Sequence, residues 1–400
     1  MLLTPNDIDA ATEALAPVMR RTPMVASRVL SERTGCEVWL KCENLQRTGS
    51  FKPRGAYLRI SRLSDDERAH GVVAASAGNH AQGVAWSASE LGIPARVYMP
   101  TGASLPKIVA TKAYGAEVVL EGSTVDEALI AAQRHAEETG AVLIHPFDHP
   151  DIVAGQSTVG VEILEQMPDV SAVIVPLGGG GLLAGVATAI KQRRPEVRVI
   201  GVQAATAAAW PRSLAENRPV AAESMNTMAD GIAVARPGMV PFEHVVSYVD
   251  EVVTVAEDLL STALLLMLER AKLVVEPAGA AGVAAMMAGE LTDLTGPVCV
   301  VVSGGNIDPL LLTHVTTHGL TAAGRYLTVT ATISDRPGGL IALLELLRDA
   351  GASVLDVVHS RVVDDLYLDE VQVTVSVETR GPEHQRELRD ALAAAGLLRD

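Results

Sequence analysis

Four hundred residues, 48% of them hydrophobic and only 3% aromatic, suffice for two or three compact domains with large cores. A formal charge of −16 argues against nucleic acid or an anionic membrane surface as a partner, since either needs a concentrated basic face. No apolar window of about 20 residues escapes charges or breakers, and the start MLLTPNDIDA lacks the basic and apolar regions of a secretory leader, so a cytoplasmic protein is expected.

Abundant Ala, Val, Leu and Gly suit helices packed closely on buried parallel strands, which predicts an α/β class. Between about Val72 and Val302 short apolar runs alternate with helical patterns: VVAAS, ARVYMP and AEVVLEG are followed by helices starting near His80, Leu105 and Val125. SAVIVPL, VRVIGVQA and VCVVVSGGN continue the rhythm, and right-handed helical crossovers between parallel strands are the economical architecture. After about Thr321 the character changes. YLTVTATIS, LIALLELLRDAG, ASVLDVVHSR, LDEVQVTVSVET and HQRELRDALAAAG read as βαββα, most of a ferredoxin-like βαββαβ unit. LLRD at 397–400 leaves little room for the last strand. Cys36, Cys42 and Cys299 show neither disulfide nor zinc spacing and read as reduced core residues.

Four loops at predicted strand ends carry residues capable of chemistry. Lys52, in Ser50-Phe51-Lys52-Pro53-Arg54-Gly55, is a surface lysine unless desolvation or a neighbouring charge such as Arg54 lowers its pKa and makes it a nucleophile. Gly178-Gly179-Gly180-Gly181-Leu182 opens a helix, where converging N–H groups suit a phosphate; the plain alternative is a tight turn. A dinucleotide is disfavoured there, because the next strand ends in Gln203 where an acidic residue is wanted. Ser76-Ala77-Gly78-Asn79-His80 could clamp a carboxylate or phenolic oxygen, or Asn79 could simply cap a helix. Ser303-Gly304-Gly305-Asn306 closes the set, and four such loops point to one crevice.

Together, KCENLQRTGSFKPRGA, SAGNHAQGVA, VPLGGGGLLAG, EPAGA and SGGNIDP resemble the threonine ammonia-lyases (threonine dehydratases) of the fold-type II pyridoxal-phosphate family, in order and spacing over about residues 5–320. The resemblance implies two parallel-sheet α/β subdomains within a catalytic domain at 1–320, the smaller subdomain at about 46–150. It implies pyridoxal 5'-phosphate as cofactor and Lys52 as the Schiff-base lysine and base for the α-proton, with Phe51 beside the ring. Asn79 would bond the ring 3-oxygen, Gly178 through Leu182 would hold the phosphate, Ser303 would face the pyridine nitrogen, and Glu276 would lie near the ring. Ser76, Ala77, Gly78, Asn79 and His80 would line the substrate-carboxylate loop. The implied reaction is α,β-elimination from L-threonine to 2-oxobutanoate and ammonia, and from L-serine to pyruvate, serving isoleucine biosynthesis or threonine catabolism.

Serine racemases resemble the same family, but there a serine precedes the Gly-Asn of the loop, whereas Ala77 stands here and its methyl group cannot move a proton. A sulfhydrylase, a threonine synthase, or an amino-acid sensor on a dead catalytic domain are further alternatives. Residues 325–400 resemble an ACT regulatory domain, which implies an amino-acid effector near Gly338 and Gly339 and a homo-oligomer, dimer or tetramer; a plain turn at these glycines and an unregulated enzyme stay open. No metal is expected. Asp230 in Ala-Asp-Gly and Glu223 could contribute oxygens, though surface acids are the commoner explanation, and His145 and His149 in HPFDHP read as loop-ordering residues.

Overall fold

The computed structural model describes residues 2–291, 293–361 and 366–398. The chain divides into two compact units at 311/312, within the helix Pro309–Ala322. In chain order the strands are β1 Met24–Ala26, β2 Val38–Cys42, β3 Val72–Ala75, β4 Ala95–Met99, β5 Glu117–Leu120, β6 Val142–Leu143, β7 Ala172–Pro176, β8 Arg198–Ala204, β9 Glu251–Val255, β10 Val298–Val302, β11 Tyr326–Ser334, β12 Ser353–Ser360 and β13 Glu370–Glu378.

The first unit holds two sheets. One runs β1-β2-β10-β7-β8-β9 and is parallel except for the β1–β2 pair; the other, β5-β4-β3-β6, is parallel throughout. Every residue of β3, β7 and β10 is buried, which is why these strands read as unbroken apolar runs: helices cover both faces of the sheet. Val300 of β10 lies between Leu40 of β2 and Ile174 of β7, so side chains two positions apart stack into the same core layer.

Close helix packing brings the chemistry-bearing loops together. Helix Lys52–Ser61 meets helix Pro150–Gln166 through facing glycines; a Cβ on Gly55 would lie 2.5 Å from Gln156 Nε2, and one on Gly155 would lie 2.5 Å from the Arg54 carbonyl. Around this contact sits a buried ionic network. Arg54 donates to Glu43 at 2.8 Å and to Glu162 at 2.7 Å, and Lys41 of β2 donates to Glu162 at 2.5 Å and to the Thr22 carbonyl at 2.9 Å. Cys42 and Cys299 are buried, Cys36 is half-buried, and all three are free thiols.

The second unit follows the order strand, helix, strand, strand, helix, with an antiparallel sheet β11-β13-β12. Leu327, Val329, Ala331 and Ile333 of β11 and Val371, Val373, Val375 and Val377 of β13 point inward against Leu343, Leu347, Leu388 and Leu392 of the two helices. Thr328 and Thr330 pair their hydroxyls with Ser376 and Thr374 on the opposite face, completing the period-2 alternation. Past the last helix, the Leu397 carbonyl accepts from Thr332 N on the free edge of β11, at 2.8 Å. Of LLRD at 397–400, which leaves little room for a fourth strand, residues 399–400 lie outside the described residues. Among the described residues, no helix is long and apolar enough to cross a membrane.

Candidate active site

Lys52 opens its helix, with Phe51 at the N-cap and Pro53 fixing the first turn. Phe51 N donates to the Ser303 carbonyl at 3.1 Å, and Ser50 bridges to Gly304, so this turn is fastened to the end of β10. Lys52 Nζ donates to the Pro146 carbonyl at 3.0 Å and lies 5.2 Å from the centre of the Phe51 ring. Burial pushes its pKa down to about 8, against the opposing pull of the Glu276 carboxylate. Arg54 plays no part in this, contrary to the expectation from sequence. Its guanidinium is spent on Glu43 and Glu162, so desolvation alone lowers the lysine.

Behind β3, Gly78 N donates to Ser76 Oγ at 3.1 Å, and helix Asn79–Glu90 begins with Gly78, not Asn79, as its N-cap. The amide of Asn79 is therefore free for other work. Its Nδ2 donates to Glu276 Oε1 at 2.6 Å, and its Oδ1 accepts from Asn306 Nδ2 at 2.8 Å. Glu276, at the cap of helix Pro277–Ala288, has its pKa pushed up to about 7, first by burial and then by Asp230. His80 Nε2 pairs with the Ile144 carbonyl at 2.7 Å, and burial drives its pKa down to about 3, so the imidazole is neutral.

Gly178 through Gly181 follow β7 and lead into helix Gly181–Arg193. Gly180, at φ +101°, caps that helix without a side-chain hydrogen bond, which leaves first-turn N–H groups for an incoming anion. Trp210 Nε1 donates to the Gly178 carbonyl at 2.7 Å, and a Cβ on Gly180 would lie 2.5 Å from Cζ2 of the same indole. A Cβ on Gly179 would strike the Phe147 ring. The loop is thus pressed between two aromatic side chains, with backbone alone facing inward.

These parts line one cavity of about 620 Å³, a size suited to a small molecule. Phe51, Lys52, Ser76, Ala77, Gly78, Asn79, His80, Gly178, Gly179, Gly180, Gly181, Leu182, Glu276, Ser303 and Asn306 all border it. Gly338 and Gly339 belong to the second unit and have their own structural reason. Gly338 is left-handed at φ +100°, and a Cβ on Gly339 would strike the Ser334 carbonyl, as a tight strand-to-helix turn demands.

The acids considered as oxygen ligands are engaged by cations: Asp230 by Lys107 at 2.7 Å and Glu223 by Arg212 at 3.2 Å. Among the described residues no group of three or more His, Cys, Asp or Glu could hold a metal. His145 Nδ1 accepts from Asp148 N at 2.8 Å and His149 Nδ1 from Asp151 N at 3.1 Å, each ordering its own turn. Asn306 belongs to the Ser303–Asn306 loop that the sequence singles out, though with no role of its own there; Pro146, Phe147 and Trp210 carry no motif that points to the site.

A buried lysine and a glycine-rich helix start with no side-chain cap border one cavity of an α/β unit, an arrangement whose chemistry suits a phosphate-bearing aldehyde. Residues 15–304 match the family described as pyridoxal-phosphate dependent enzyme. The chain belongs to that family, and its catalytic unit has the fold-type II architecture. It is 48% identical to an L-threonine ammonia-lyase of Thermotoga maritima, over 99% of this chain and 98% of the relative. Among solved structures it is similar to the processed threonine deaminase isoform 2 of Solanum lycopersicum, at 37% identity and a TM-score of 0.75, over 79% of this chain and 94% of that one. Maize serine racemase is similar at 34% identity and a TM-score of 0.75, over 78% and 97%.

Proposed function

We propose that the protein deaminates L-threonine to 2-oxobutanoate and ammonia, and L-serine to pyruvate and ammonia. The observation that carries this reading is the likeness, along nearly the whole of both chains, to an L-threonine ammonia-lyase. Residue 77 supports elimination over racemisation: it borders the cavity as alanine and has no proton to give.

Pyridoxal phosphate, when bound, supplies the electron sink that lets the substrate α-carbon lose its proton. Lys52 would hold the cofactor's aldehyde group and would serve as base toward the substrate α-proton, a role its lowered pKa favours. The N–H groups of Gly178 through Leu182 would hold the phosphate, and Phe51 would pack beside the ring. Asn79, with its amide fixed from both ends by Glu276 and Asn306, would hold the ring oxygen. Ser303, which borders the cavity, would offer the pyridine nitrogen a neutral hydroxyl and no full negative charge, a setting that suits elimination of a β-hydroxyl. Ser76 through His80 bind the substrate carboxylate; Glu276 lies near the ring. Water leaves the substrate and one water later releases ammonia, so threonine is converted into 2-oxobutanoate and ammonia alone.

We read residues 325–400 as an ACT-like regulatory domain whose amino-acid effector binds near Gly338 and Gly339, in a cytoplasmic homo-oligomer. The βαββα order and its antiparallel sheet support the ACT-like reading of the domain. Coupling of effector and substrate must be reciprocal, so effector affinity should change when a substrate analogue is bound. The reaction itself is tested by incubating the holoenzyme with L-threonine. Equal amounts of 2-oxobutanoate and ammonia are expected, and inversion at the α-carbon without 2-oxo acid would overturn the proposal.

A further inference from the structure

The turn between β6 and helix Pro150–Gln166 touches both ends of the cavity. On one side, the Pro146 carbonyl accepts from Lys52 Nζ at 3.0 Å. On the other, the Phe147 ring occupies space that only glycines leave: a Cβ on Gly179 would strike it, one on Gly238 would lie 2.9 Å from its Cδ2, and one on Gly181 would lie 3.0 Å from Phe147 Cβ. Gly238 N in turn donates to the Gly179 carbonyl at 3.1 Å, and Val240 N donates to Asp148 Oδ1 at 2.8 Å. One short turn therefore sits against the lysine, the glycine loop and the segment behind that loop.

His145 shapes the turn. Its Nδ1 accepts from Asp148 N at 2.8 Å and from Phe147 N at 3.3 Å, and its ring meets the Phe147 ring edge-on at 4.7 Å. Two N–H donors converge on one ring nitrogen, which must be unprotonated to accept them. Burial, which lowers the pKa of His145, keeps it so.

We propose that His145 and Phe147 are positioning residues that fix the spacing between Lys52 and the glycine-loop N–H groups, and so set how well the site grips a phosphorylated aldehyde at both ends. The inference rests on the reading of Gly178 through Leu182 as the phosphate loop. Neither residue exchanges protons with substrate. His145 acts as an acceptor that folds the turn, and Phe147 acts as a wedge that the turn drives against the loop. Asparagine can also accept from backbone N–H groups two or three positions ahead, as it does in Asx-turns, whereas leucine cannot.

The test compares binding of pyridoxal 5'-phosphate with that of pyridoxal, which offers Lys52 the same aldehyde without the phosphate. Dissociation constants are measured on the full chain freed of cofactor, for wild type, His145→Asn, His145→Leu and Phe147→Leu, with circular dichroism and melting temperature followed in parallel. Wild type should prefer the phosphorylated form strongly. That preference should fall at least about tenfold in His145→Leu and Phe147→Leu, the loss of one or two charge-assisted hydrogen bonds, and stay near wild type in His145→Asn. If wild type binds both aldehydes equally, the phosphate-loop reading itself fails. If wild type discriminates and both leucine variants discriminate as well, the positioning inference is overturned. A His145→Asn variant as impaired as His145→Leu overturns the acceptor role. Should Phe147→Leu not fold, the two His145 variants decide.

Discussion

The side-chain amide of Asn79 and the carboxyl group of Glu276 meet at 2.6 Å, joining the loop behind β3 of the smaller sheet to the helix that starts at Pro277. Asn306 holds the other end of the same amide, so Asn79 presents a fixed face to the cavity. Glu276 is buried, and its pKa of about 7 leaves it partly protonated near neutrality.

That raised pKa has a consequence for stability. Between the ordinary value of 4.5 and about 7 the folded protein binds a proton at Glu276 that the unfolded chain releases, so stability falls as pH rises through this window. Cofactor-free wild type should therefore lose about 2 kcal/mol relative to Glu276→Gln between pH 5 and 7. Urea unfolding of both proteins at a series of pH values measures the difference; parallel curves would contradict it.

Lys52 captures an aldehyde only as the neutral amine. With its pKa at about 8, the rate of cofactor uptake by the cofactor-free protein should rise about tenfold from pH 7 to 9 and then level off. Stopped-flow absorbance follows it. A rate still climbing steeply at pH 10 would mean a lysine of ordinary pKa.

Arg54 is buried with two carboxylates. Arg54→Met leaves the buried Glu43 without a cation, while Glu162 keeps Lys41, and should cost about 3–5 kcal/mol of stability, read from the urea midpoint. Arg54→Lys should rescue only part of this, because one ammonium cannot reproduce a guanidinium's fixed fork to both partners.

Ala77 borders the cavity in the loop between Ser76 and Gly78. Ala77→Ser puts an exchangeable hydroxyl proton there and should add measurable D-serine formation from L-serine, detected by chiral chromatography. No D-serine, with elimination intact, would show that this position does not govern the choice between the two reactions.

The parts of the fold that were legible in the sequence are those with a local signature. β3, β7 and β10 are apolar throughout because both faces are covered, and β11 and β13 alternate because one face is. β2 is hidden by Lys41, a charge inside an interior strand that is tolerable because Glu162 and Gln166, far along the chain, and the Thr22 carbonyl meet it. β6 spans two residues, too short for any period to register. In the site, Lys52 and the four glycines stood out by motif, but Arg54 was matched to the wrong neighbour, because spacing cannot tell which way a guanidinium turns. Phe147 lay within a polar-looking HPFDHP, and only the packed structure shows three glycines making room for its ring.

The most direct test is the absorbance spectrum of the purified protein, wild type and Lys52→Ala, before and after L-threonine is added, with 2-oxobutanoate assayed in parallel. Wild type should carry a visible cofactor band that Lys52→Ala lacks, and should alone release 2-oxobutanoate. A wild type that holds the cofactor yet releases no 2-oxo acid, or a Lys52→Ala variant that turns over as wild type does, would contradict a lysine-based threonine deaminase.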